Sequence, residues 1–147
     1  MSCARFTGGP RLHHAGCRWF VGFLQAHVET GPQTPRMETQ CVRVPLRPGK
    51  TKQFVNWIAS VRHREAEMLH AMQQEGVRFE LMALQSGAEE DALLFFMQAR
   101  DLNAAQRAFA TSELAIDHET RRIIGECWDT ERASALDVLL ALGPTLA

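Results

Sequence analysis

The sequence predicts an α+β fold, and three observations carry the prediction. Residues 41–46 (CVRVPL), 77–84 (VRFELMAL) and 91–99 (DALLFFMQA) have strand composition. Residues 51–75, between the first two, place apolar side chains at helical spacing. Two further helical patterns and an alternating end follow the third strand. The order strand, helix, strand, strand, helix needs a last strand to complete a split βαβ unit. The expectation is therefore a ferredoxin-like βαββαβ sandwich: four antiparallel strands with helices on one face.

The first strand alternates, with Val42, Val44 and Leu46 on one face and Cys41 and Arg43 on the other. Pro48-Gly49 ends it, and Thr51 is placed as the N-cap of a single helix running to Glu75. The helix stripe is Phe54, Ile58, Val61, Met68 and Met72, with Glu65 falling on it. Glu65 is expected to snorkel outward or to pair with Arg107 or Arg121. Gly76 suits a left-handed C-cap. In the second strand Val77, Phe79, Leu81 and Ala83 face one way, and Arg78, Glu80, Met82 and Leu84 the other. Ser86 to Glu90 reads as a hairpin loop. The third strand is apolar on both faces, so both faces are expected to be covered. Asp101 caps a short helix, and Asp117 a second one whose apolar side is Ile123, Ile124, Cys127 and Trp128. Residues 135–142 alternate at Leu136, Val138, Leu140 and Leu142 and are assigned as the closing strand.

A chain of 147 residues is one domain's worth, and 46% hydrophobic residues suffice for a core. The formal charge of −1 gives no electrostatic case for nucleic acid or an anionic membrane. Four cysteines without paired spacing suggest neither zinc site nor disulfide framework, and point to reduced thiols and a cytoplasmic protein. A seam falls near Met37. Residues 1–36 hold four arginines against one acid, Glu29, and are expected to be a poorly ordered extension. They suit a start assigned too early, with Met37 the initiator, or a targeting segment. The domain is then 37–147.

The segments CVRVPLRPGK (41–50), Glu75-Gly76-Val77-x-x-Glu80 and ALLFFMQARDL (92–102) resemble a small bacterial family known as a domain of unknown function. That family is similar to the dimeric α/β-barrel superfamily. The resemblance covers residues 38–142 and implies a homodimer. It leaves activity open among cofactor-free monooxygenases, haem-degrading enzymes, isomerases and non-catalytic ligand binders. A bare second sheet face calls for a partner on physical grounds too. Met82, Phe95 and Met97 on that face would form a patch too large for a soluble monomer.

The candidate site follows from this arrangement. Arg43 and Glu80 are expected to meet between the sheet and its partner, with Cys41, Met82, Phe95 and Met97 as ligand-binding neighbours. The pocket would take a small hydrophobic or anionic ligand; Arg43 would fix an anionic one, and Glu80, with a raised pKa, would act as base. The alternative is a structural ion pair at a dimer interface. His118, in Asp117-His118-Glu119, is either a pocket-edge acid/base or haem ligand, or a solvated first-turn residue. His63, Glu67 and His70 share a helix face, but their charged surroundings read as an exposed surface and no metal is expected. No cofactor is expected either. GxGxxG, phosphate-loop, GxSxG and HExxH patterns are absent, as is tyrosine. The function expected is a cofactor-independent small-molecule enzyme, monooxygenase- or isomerase-like; the alternative is a non-catalytic binding or dimerisation module.

Overall fold

The computed structural model describes residues 37–141, so the expectation for residues 1–36 lies outside the described residues, as does Leu142. The elements in order are β1 (Glu38–Pro45), α1 (Thr51–Arg62), α2 (Glu65–Glu75), β2 (Val77–Gln85) and β3 (Ala92–Ala99). There follow α3 (Leu102–Thr111), α4 (Ala115–Cys127), a 3₁₀ turn (Thr130–Arg132) and β4 (Ser134–Ala135). The expected α+β class and four-stranded antiparallel sheet are present, in the order β2-β3-β1-β4. β3 lies between β1 and β2, as a split βαβ unit requires.

The helices cover one face. Val42, Val44, Leu93, Phe95 and Met97 pack there against Phe54, Trp57, Ala105, Ile123, Ile124 and Trp128. Trp128 sits at the centre, 5.8 Å from the Phe95 ring and 6.1 Å from Phe54. The opposite face has no element over it among the described residues. It carries Cys41, Leu94 and Phe96, all half-buried, with Phe79 and Leu81 45% and 50% exposed.

Four local expectations are corrected. The helix predicted over 51–75 is two helices. The His63 N–H donates to the Ser60 carbonyl and that of Arg64 to Val61, tightening the backbone out of α-geometry. Arg64 then ties the break to α4 through Glu119 at 2.7 Å. Glu65, just past the break, is exposed. Thr51 is not the cap but the first helical residue. Lys50 precedes it, and the Thr51 hydroxyl donates to the Asp91 carboxylate at 2.7 Å, fastening α1 to the β2–β3 loop. Asp117 is not a cap either. Leu114 holds that position, and Asp117 lies in the first turn of α4, 3% exposed. The closing strand expected over 135–142 is two residues long, paired with Val42 and Arg43. Residues 136–141 have no regular structure, and Leu139 and Leu140 are 93% and 73% exposed. Continued pairing with β1 would lay Leu136 and Val138 on the bare face, where no element among the described residues buries them.

Asp101 and Gly76 stand as expected. The Asp101 carboxylate accepts from the Ala104 N–H at 2.7 Å, and Gly76 closes α2 at φ 75°.

Candidate functional site

A cavity of about 50 Å³ lies between the sheet and the helices. It is lined by Met68, Ala71, Met72 and Glu75 of α2, Glu80 and Met82 of β2, and Phe95 and Met97 of β3. Ala105, Gln106 and Phe109 of α3, Asp117, Thr120 and Ile124 of α4, and Trp128 complete the wall. That space exceeds the roughly 10–15 Å³ one water needs and suits a ligand of a few heavy atoms.

A β-bulge decides what enters this cavity. Val77 pairs with Ala99, but the next position on β3, Gln98, pairs with Phe79. One extra residue on β2 therefore opposes one on β3, and every later side chain changes face. Val77 stays buried with the helices, whereas Phe79 and Leu81 turn outward beside Phe96. Glu80 and Met82 turn inward, opposite Met97 and Phe95.

Arg43 and Glu80 accordingly lie on opposite faces of the sheet and do not meet. Arg43, level with Leu94 on the bare face, donates to Gln85 at 3.1 Å and to Glu90 at 3.2 Å. Arg132 reaches the other Glu90 oxygen at 2.8 Å. Both guanidinium groups hold the Glu90 carboxyl below its usual range, Arg132 contributing more. Cys41 stands across from Phe96 on that face too. Met82, Phe95 and Met97 line the cavity with Glu80 instead of forming an outer patch. His118 is exposed and outside the lining; its ring contacts Glu113 at 3.4 Å and Arg121 at 3.0 Å. An anionic ligand was expected through Arg43, but the charged side chains among the described lining residues are all carboxylic. His63, Glu67 and His70 are exposed, and no cluster of His, Cys, Asp or Glu suited to a metal ion occurs among the described residues.

Two cavity acids were not anticipated. Glu75 ends the α2 stripe at the spacing that places Met68 and Met72 on it, so the period itself pointed inward. Asp117 begins the buried row Asp117, Thr120, Ile124 of α4. Asp117 accepts from the Ser112 hydroxyl. Arg121 fastens the same loop by donating to the Phe109 and Ser112 carbonyls. Burial pushes the Glu80 carboxyl up to about 7, with Asp117 adding repulsion. Burial also lifts Glu75 to about 8, reinforced by Asp117 and Glu80 and opposed by Arg121. The cavity thus holds carboxyls that exchange protons near neutrality, inside a wall of thioethers and aromatic rings.

No helix of the described residues is long and apolar enough to cross a membrane. A comparison with curated proteins gives no match. Residues 37–145 match the model of the family of unknown function DUF6176, and the chain belongs to that family.

Proposed function

We propose that the chain is a small-molecule protein of the dimeric α/β-barrel kind, with its site in the cavity beneath the helices and Glu80 as the group that moves a proton. The observation that carries this reading is the Glu80 carboxyl, enclosed by Met82, Phe95 and Met97 and pushed up to about 7. A base is most effective when its pKa lies near the working pH. Cofactor-independent oxygenation and isomerisation share a first step, loss of a proton from an activated carbon. The Glu80 carboxylate accepts that proton and becomes the neutral acid. In isomerisation it returns the proton to a different carbon; in oxygenation the carbanion left behind reacts with dioxygen.

The second reading is a non-catalytic binding module. It is favoured by the lining outside the carboxyls, where four methionines offer an adaptable apolar surface. The two separate in heavy water. With a panel of small carbon acids, a proton-transfer enzyme replaces the acidic C–H by C–D, which proton NMR follows directly. Exchange abolished in a Glu80→Gln variant that unfolds no more easily than the parent is the enzyme's result. Probes that bind without exchange are the binding module's.

The dimer belongs to the same proposal, and its interface is the bare sheet face. Three strands of about eight residues and the two-residue β4 span roughly 400 Å² on that face, whereas a standard interface buries about 800 Å² per partner. The exposed apolar stretch 136–141, beside β1, extends the face toward that size. A second copy fits because it presents the same apolar side chains, Phe79, Leu81, Leu94 and Phe96. Native mass spectrometry of the full chain tests this, and a monomer at micromolar concentration would remove the barrel.

A further inference from the structure

The charge inside the cavity has one sign. Glu75 comes from α2, Glu80 from β2 and Asp117 from α4, while the lining side chains of α3 and β3 carry no charge. Arg121 is the base whose field reaches Glu75, and its donors are directed to the Phe109 and Ser112 carbonyls. Asp117 is held by Ser112, whereas the enclosed Glu80 carboxyl has no hydrogen-bond partner among the described residues. The rest of the wall is methionine and ring, including Phe95, Phe109 and Trp128. Ring faces attract cations, best when the cation is poorly hydrated. A metal ion does not suit this wall, since the acids do not group as metal ligands among the described residues.

We propose that the cavity binds a small organic ammonium ion, its charge against Glu80 and Asp117 and its methyl or methylene groups against the methionines and rings. This rests on the reading of the cavity as a ligand site and names the class of ligand. An ammonium ion favours ionised carboxyls, so its binding expels protons from Glu80 and Glu75. Affinity therefore rises with pH through the interval from about 7 to about 8.

Tetramethylammonium is the probe, because its charge does not titrate and the pH dependence is then the protein's own. Tert-butanol is the neutral control of similar size, and pivalate the anionic one. Met68, Met72, Met82 and Met97 line the cavity, so carbon-13 methionine methyl spectra of the full chain report occupancy directly. The expected result is that tetramethylammonium shifts these four methyls and binds about tenfold tighter at pH 8.5 than at pH 6. Tert-butanol should bind more weakly with no pH dependence, and Glu80→Gln should reduce the dependence for the ion to the share that Glu75 carries. Shifts from tert-butanol or pivalate but not from tetramethylammonium would overturn the cation and leave the cavity as a ligand site. Four methyls unmoved by all three probes would overturn both. The probe comparison is made on the unmodified protein, so it stands even if the variant folds poorly.

Discussion

Glu80 and Glu75 are stabilised in their neutral forms by the fold, which has a consequence for stability as well as chemistry. Both carboxyls start from an ordinary value of 4.5 and are raised to about 7 and about 8. Between those limits the folded protein keeps protons that the unfolded chain has lost. Their contribution is fully present below 4.5 and is lost as pH rises through the raised values. Glu67, Glu90, Glu126 and Asp129 are shifted down by arginine partners, so their contribution is lost only on acidification. The urea midpoint is therefore expected to fall between about pH 5.5 and about pH 8.5, and to fall less in Glu80→Gln. A flat or rising midpoint would contradict the burial of these two groups. The types of these residues were legible from the sequence; their direction was not. Glu80 was read as a pocket acid on the face of Arg43, whereas the bulge turns it to the helix side. Asp117 was hidden because an acid at a helix start has an adequate local explanation as a cap.

At the scale of elements, legibility tracks period. Strand alternation and helical stripes located β1, β2, β3 and the helical segments within a few residues. What they could not locate were changes that leave the period intact. The apolar stripe runs straight through the His63–Arg64 break, and no glycine or proline marks it. The bulge is a single extra residue between Val77 and Phe79, so alternation on either side looks regular while the faces exchange. The C-cap of α2 was legible because only its backbone conformation matters. A Cβ on Gly76 meets nothing within 4 Å, so Gly76→Ala should cost about 1–2 kcal/mol from the positive φ alone. Urea unfolding measures it, and a loss near zero would mean that the chain relaxes out of the left-handed cap.

For the whole molecule, an apolar second sheet face was foreseen and is present, made of different residues. Phe79, Leu81, Leu94 and Phe96 replace Met82, Phe95 and Met97, because the bulge exchanged the β2 side chains and β3 packs its other row under the helices. The closing strand was not legible for a related reason. Alternation in 136–142 signals a surface to be covered, and the described residues do not supply the cover. Leu81→Arg at the centre of that face should convert the proposed dimer to a monomer in sedimentation while leaving the four-methionine cavity intact. A dimer that survives the substitution would place the interface elsewhere. The aromatic cluster has an optical consequence. The chain has no tyrosine, and Trp57 and Trp128 are buried at 6% and 1% exposure. Trp128 both anchors the core and forms part of the cavity wall. Ultraviolet emission from this protein therefore has no phenol component, and one of its emitters touches whatever enters the cavity: occupancy can be followed by light without attaching a label.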